Sequence, residues 1–338
     1  MYYTGLEYFM RLFENRELDY AFKAQNQEEY REWKEALRNR LMEISGVTRC
    51  IPTELKAECL RKETVGEFVA QYYTIETEPG VIMPFYLVRP EDNVESAESV
   101  EQHPVLLIPH GHGMSKRETL LYQGTFVKEA LEDGFIVVCP DERGSGERRE
   151  FPEQGDEPEK MRANSHRELL QLGINFGRSV IGMAVWDLMK LTDWLLELPE
   201  TNGKIACAGM SGGGHQTLWF AALDERVTAA ISSGYFYGVK EALMAAPHNC
   251  ACNFVPHFFE TADMGELGAL IAPRLFFVES GEKDPLSGKN LIENVFPQIE
   301  VAKKAYRIFG AEENLVHSIH PGGHQWVGTG MREFLGRI

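Results

Sequence analysis

A serine stands at the centre of Gly209-Met210-Ser211-Gly212-Gly213, and the segments on either side limit what that serine can be. Upstream, Lys204-Ile205-Ala206-Cys207-Ala208 is a short apolar run of the kind that forms a buried strand. Downstream, His215 to Leu223 reads as a helix. A strand turning into a helix through G-x-S-x-G is a nucleophile elbow. The glycines are a steric requirement, because only residues without Cβ let the backbone fold tightly enough to lift the hydroxyl clear of the sheet. The helix then points its free N–H groups and positive dipole end at the place where an oxyanion would form.

The rest of the chain reads as alternating strands and helices. Pro104 to Pro109, Gly134 to Pro140, Ile205 to Ala208, Val227 to Ser232, Pro273 to Val278 and Leu315 to Ile319 are strand candidates. Thr119 to Glu132 and Val180 to Leu198 are helix candidates. This alternation predicts an α/β fold with a largely parallel sheet. Ahead of it, Phe68 to Thr77 and Val81 to Val88 flank Glu78-Pro79-Gly80, a hairpin signal. Residues 1–50 form a helical N-terminal extension, with Tyr30, Trp33, Leu37 and Leu41 on one stripe and Gly46 as the C-cap. It could pack on the core, cover a site or make a dimer contact. The catalytic domain spans 51–338, with substrate-side insertions at about 141–177 and 234–267.

Composition narrows the partners. The net charge of −17 disfavours nucleic acid and anionic membranes. It permits a homo-oligomer without requiring one. MYYTGLEYFMRLF lacks the basic and apolar regions of a signal peptide, and no run approaches the ~18 apolar residues of a membrane span, so a cytoplasmic location is expected. The six cysteines read as free thiols; Cys250-Ala251-Cys252 matches neither a zinc ribbon nor a redox C-x-x-C.

A serine hydroxyl needs a base, and the base needs an orienting carboxylate. The acid is expected on the turn after a late strand, where Asp284 leads Glu279 and Glu282. The base is expected after the last strand. There His324, preceded by Gly322-Gly323, leads His317 and His320. The oxyanion donors are the N–H groups of Gly212 and of His112, with Gly111 as the alternative to His112. His110, Arg143 and Phe254 are candidates for substrate contact, although Arg143 and Glu147 could instead hold their loop by ion pairing. The rings at Tyr235, Phe236, Tyr237, Phe254, Phe258 and Phe259 either wall a pocket or pack a core. His110-Gly111-His112 could chelate as H-x-H, but with no third ligand in view neither a metal nor a cofactor is expected.

With Ser211, Asp284 and His324 in this order, the chain from about residue 65 to 338 resembles an α/β-hydrolase. Several segments resemble the dienelactone-hydrolase-related, acetyl xylan esterase-like branch. They are Pro140-Asp141-Glu142-Arg143-Gly144-Ser145-Gly146-Glu147, the helix carrying Asp187, Ala272-Pro273-Arg274 and Gly281-Glu282-Lys283-Asp284-Pro285. The run from His248 to Pro256, followed by Ala262-Asp263-Met264, looks like a signature of a subgroup. The resemblance implies an eight-stranded, mostly parallel sheet, a Ser-His-Asp triad and hydrolysis of small acyl esters, often of acetylated sugars. The chain departs from the branch in two ways. Gly212-Gly213 follows the serine where better-known xylan esterases carry Gln, and a serine replaces the cysteine of dienelactone hydrolases proper. The rival readings are a peptidase of prolyl-oligopeptidase type, for which residues 1–65 are too few to form a propeller, and a non-catalytic binding protein of the same fold.

Overall fold

The computed structural model describes residues 5–90, 102–151, 164–246 and 249–338. Its strands are β1 (Ala57–Val65), β2 (Phe68–Glu78), β3 (Val81–Val88), β4 (His103–Leu107), β5 (Ile136–Pro140), β6 (Thr201–Met210), β7 (Val227–Ser233), β8 (Leu275–Gly281) and β9 (Leu315–His320). They form one nine-stranded sheet in the order β1-β2-β3-β5-β4-β6-β7-β8-β9. β1, β2 and β3 pair antiparallel, as does β3 with β5. Every pairing from β5 to β9 is parallel. The sheet therefore has nine strands where the resemblance implied eight, and β1 is a strand that lies in the strand-like stretch from Glu54 to Pro90 without being delimited by the sequence. Most of its side chains are exposed, so burial imposes little apolar alternation on Ala57–Val65.

The main helices are α1 (Leu6–Glu14), α2 (Gln27–Ser45), α3 (Lys116–Tyr122), α4 (Gly124–Glu132), α5 (His166–Gly173), α6 (Val180–Leu195), α7 (Gly212–Leu223), α8 (Phe258–Thr261), α9 (Met264–Ile271), α10 (Phe296–Phe309) and α11 (Met331–Leu335). The single helix expected over 119–132 is two, broken at Gln123, with a Ser115–Glu118 capping box starting the first of them. Helices cover both faces of the sheet. Ile205 and Cys207 of β6 face a core shared with Leu37, Val185, Leu218 and Leu267. The intervening Ala206 and Ala208 face a second core with Leu120, Val127 and Phe334. A strand buried on both faces is apolar at every position, which is why this stretch was legible.

Of the three roles open to the N-terminal extension, α2 takes the first. Asn26 caps its start by accepting from the N–H groups of Glu28 and Glu29, and Gly46 ends it in a left-handed conformation at φ 82°. Tyr30, Leu37, Leu41 and Ile44 are buried in the same core as α7 and α9. The Tyr30 hydroxyl reaches the carbonyls of Ala269 and Ala272 at 2.9 and 2.7 Å. Arg38 donates to the carbonyl of Leu223, the last residue of α7. Each fully buried side chain of this size contributes about 1.5–3 kcal/mol, so α2 is part of what makes the core close. Among the described residues no helix is long and apolar enough to cross a membrane.

Leu37 has no exposed surface. Leu37→Ala is expected to cost about 2–5 kcal/mol in urea unfolding. A loss under about 1 kcal/mol would mean that α2 is a loose appendage.

Candidate active site

Ser211 sits between β6 and α7 with φ 56° and ψ −118°, a conformation a side-chain-bearing residue adopts only under strain of roughly 1–3 kcal/mol. Its neighbours explain how the strain is held. A Cβ on Gly209 would lie 2.4 Å from the Gly213 carbonyl, and a Cβ on Gly213 would lie 2.2 Å from the Pro109 carbonyl. Both glycines are therefore demanded by backbone packed on backbone. The Ser211 N–H donates to the Ser233 carbonyl at 2.8 Å, pinning the turn to the end of β7.

The predicted acid and base meet at the same edge. Asp284, on the turn after β8, is 1% exposed, and its Oδ2 lies 2.7 Å from Nδ1 of His324. Its Oδ1 accepts from the Leu286 N–H, which fixes the carboxylate. A Cβ on Gly234 would lie 3.0 Å from the His324 ring and 3.5 Å from Asp284 Oδ2. The Ser233–Gly234 step thus touches the serine turn through one residue and the His–Asp pair through the next.

The rival acids and bases are placed elsewhere. Glu279 is buried and accepts from the Ser233 hydroxyl and from the N–H groups of Val327 and Gly328. It ties the loop following His324 to β7. Glu282 is exposed. His320 Nδ1 accepts from the Gly322 N–H within its own turn. His317 lies 3.2 Å from the Ser280 hydroxyl, and burial pushes its pKa down to about 4.

The loop after β4 closes against the serine turn. A Cβ on Gly111 would sit 2.9 Å from the Met210 carbonyl and 3.7 Å from Ser211 Cβ, and one on Gly212 would sit 3.1 Å from the His112 nitrogen. The backbone nitrogen and the ring of His112 therefore both lie against Gly212 beside the serine. His110 is buried, with Nδ1 toward the Gly111 carbonyl and Nε2 accepting from the Glu142 N–H. With both ring nitrogens engaged inside the protein, it holds the loop in place of the substrate contact considered for it.

Arg143 resolves the same way. Its guanidinium grips Asp187 through two bonds of 2.8 and 2.7 Å and reaches Glu78 at 2.8 Å. Arg148 adds a second pair to Asp187, and Arg178 a second to Glu78. Glu147 pairs with the buried Lys116, which also holds Asp141. These residues anchor the loop after β5. Burial pushes the Asp187 carboxyl up, and the two arginines outweigh it and hold its pKa at about 2. Phe254 is half-buried, whereas Tyr235, Phe236, Tyr237 and Phe258 are core residues rather than a pocket wall.

The fold also assembles a group the sequence did not announce. His112, His166, Cys250 and Cys252 bring one donor atom each within 4.8 Å of one another. His112 Nε2 lies 3.1 Å from Cys252 Sγ, and His166 Nδ1 lies 3.1 Å from Cys250 Sγ. A hydrogen bond from Cys252, with help from the two imidazoles, holds the Cys250 thiol well below its ordinary range despite burial. Burial pushes His166 down, but Glu142 and Cys250 lift it to about 9. His215, stacked on Tyr235 at 4.4 Å, is pushed down to about 3 by burial and by His112, so it is neutral at physiological pH. H-x-H proved a misleading cue, because His110 takes no part and the other donors come from distant segments. His248, in the subgroup run, lies outside the described residues, as do positions 152–163 of the first insertion.

Comparison with known proteins bears on the fold. No family model matches the chain. The "Putative hydrolase YtaP" of Bacillus subtilis (strain 168) is 24% identical over 272 residues, 75% of this chain and 85% of that protein. A "putative acetyl xylan esterase" from Bacteroides fragilis is similar with a TM-score of 0.76 at 18% identity, covering 95% of this chain and 83% of that one. A glucuronoyl esterase from Solibacter usitatus gives 0.67 at 16% identity, covering 94% of each chain. Acetyl Xylan Esterase 1 from Thermoanaerobacterium sp. gives 0.58 at 18% identity over 96% of this chain and 97% of that one. The chain has the α/β-hydrolase fold of these proteins.

Replacing Asp187 by Asn would leave the buried Arg148 guanidinium without its carboxylate and Arg143 with Glu78 alone, at a cost of about 3–5 kcal/mol near neutral pH. The sign of the pH dependence follows from the depressed carboxyl. Its stabilisation is complete above the ordinary aspartate value of about 3.9 and is lost as pH falls toward 2. Urea unfolding at pH 7 should therefore separate the two proteins widely, and the gap should narrow below about pH 4. A gap independent of pH would show that Asp187 acts through packing alone.

Proposed function

We propose that this protein is a serine carboxylic-ester hydrolase acting on small acyl esters, with acetyl groups on carbohydrates as the substrate class. The observation that carries the reading is the 2.7 Å Asp284–His324 contact set across Ser233–Gly234 from the strained serine turn. In this mechanism Ser211 Oγ attacks the ester carbonyl while His324 Nε2 takes its proton. Asp284 holds the imidazole by Nδ1 and stabilises the imidazolium that forms. The carbonyl oxygen, now an anion, is held by the N–H groups of Gly212 and His112. His324 then protonates the departing alkoxide, and a water deprotonated by the same ring releases the acid and restores Ser211. No cofactor enters these steps.

Esters suit the arrangement because an alkoxide leaves more readily than an amide nitrogen. The names of the structural neighbours, acetyl xylan and glucuronoyl esterases, support a carbohydrate ester. Six unpaired cysteines fit a reducing, cytoplasmic setting.

Hydrolysis of p-nitrophenyl acetate, butyrate and octanoate by wild type and Ser211→Ala tests the reading. Acetate should be preferred, and kcat should fall by about 10³ or more in the variant. Turnover unaffected by Ser211→Ala would overturn the mechanism. Cleavage of an X-Pro amide with little ester activity would favour the peptidase reading instead, and retained ligand binding with no turnover of any substrate would favour the binding protein.

A further inference from the structure

Three excursions from the sheet converge near the serine turn: the turn after β4, the start of α5 and the segment 250–252 between β7 and α8. Each contributes metal-ligand chemistry. We propose that His112 Nε2, His166 Nδ1, Cys250 Sγ and Cys252 Sγ form a closed, tetrahedral Zn²⁺ site that clamps these excursions together.

The donor set is the first argument. Two imidazoles and two thiolates form a complete structural zinc site, and soft sulfur with nitrogen selects against magnesium and calcium, which take oxygen. Geometry is the second. Tetrahedral zinc with Zn–S of about 2.3 Å and Zn–N of about 2.0–2.1 Å sets neighbouring N and S atoms about 3.6 Å apart. Two of the four N···S separations are 3.1 Å, and all four donor atoms lie within 4.8 Å of one another. To reach tetrahedral edges of about 3.6 Å the close N···S pairs open by about half an ångström and the wider pairs draw in, movements on the scale of a side-chain adjustment.

The surroundings of His166 supply a third, independent argument. A metal-bound histidine usually donates its other ring N–H to a carbonyl or carboxylate, which fixes the tautomer. His166 Nε2 lies 3.1 Å from the Arg143 carbonyl and 3.5 Å from Glu142 Oε2. In the metal-bound form the ring proton would stay on Nε2 and Nδ1 would offer its lone pair to the ion. Among the described residues Glu142 Oε2 is buried and makes no hydrogen bond. The loop carrying the cysteines is also built: Asn253 donates to the Cys250 carbonyl at 3.0 Å and to the Asn249 side chain at 3.3 Å. Charge closes too, because two thiolates neutralise the dication. On binding, whatever protons the two cysteines and the ligating imidazole nitrogens carry are released to solvent as the S–Zn and N–Zn bonds form, and no electron is transferred.

Four protein ligands leave no open position, so the ion does not touch substrate. Its effect passes through His112, whose ring would be fixed to the metal while its backbone nitrogen lies against Gly212. This consequence rests on the ester-hydrolase reading; the metal content does not.

The full-length protein, purified without chelator under reducing conditions, should carry about one zinc per chain by elemental mass spectrometry. Cys252→Ser and His166→Gln should each weaken retention by about tenfold or more, with circular dichroism reporting whether the variant folds. Where a variant does not fold, Co²⁺ exchanged into the wild-type protein gives the answer. A thiolate-to-cobalt charge-transfer band with tetrahedral d–d bands supports the site. Stripping the ion should lower kcat for p-nitrophenyl acetate, by up to about 10², with KM little changed. Ser211→Ala should keep its zinc while losing turnover, which separates failure of this proposal from failure of the hydrolase reading. Wild-type protein that holds no zinc, takes up none on dialysis against Zn²⁺ and gives no charge-transfer band with Co²⁺ would overturn it. So would stoichiometric iron in place of zinc.

Discussion

Backbone packed directly on backbone at the serine turn is the constraint from which the site follows. Gly209, Gly213 and Pro109 approach so closely that no side chain fits between them. That contact brings the loop after β4 against the start of α7. It also forces Ser211 into a conformation it would not otherwise keep. The strain is local and small beside the burial of the two cores on either side of β6. A sheet buried on both faces can hold such a turn rigidly, because every neighbouring strand is fixed by its own packing.

The remaining site residues are held by groups that do no chemistry in the proposed reaction. Glu279 links β7 to the loop following His324 through three hydrogen bonds. Asp187 and Glu78 bind Arg143, so the loop after β5 cannot drift from α6 and β2. Gln216 donates to the His110 carbonyl from inside α7. Buried polar groups cost energy unless paired, and here the pairing joins elements that lie far apart in sequence. Rigidity of the site and the pairing of its buried charges are the same fact.

What was legible in the sequence depended on whether one segment carried the whole signal. The serine turn did, since glycine spacing, strand and helix are all contained in Lys204 to Leu223. Asp284 and His324 followed from chain order once the turn was recognised. The bounds of β1 were not legible within the strand-like stretch from Glu54 to Pro90, because its exposed side chains need no pattern. The break at Gln123 was hidden because Leu120, Val127 and Ala130 keep apolar residues on the buried side across it. His110 and Arg143 were placed in the right loops, but a sequence does not say that their polar atoms are already used. The His/Cys group was the least legible. Its two close contacts join residues 140 and 84 positions apart, so no local spacing could reveal it.

That same separation gives the group its mechanical meaning. A hydrogen bond between two distant loops resists drift along one direction, and each loop can still rotate about it. Four donors meeting at one point fix three segments relative to one another at once. The segment carrying Cys250 and Cys252 has little regular structure of its own, only a single short turn at Ala251–Asn253, so its packing depends on such contacts more than a strand's does. His112 belongs to both arrangements, with its backbone beside Gly212 and its ring among the donors. Oxyanion stabilisation depends on donors already in place before charge develops. In the proposed reaction His112 would meet that demand, because its backbone nitrogen and its ring both lie against Gly212 while the ring also reaches the outer segments.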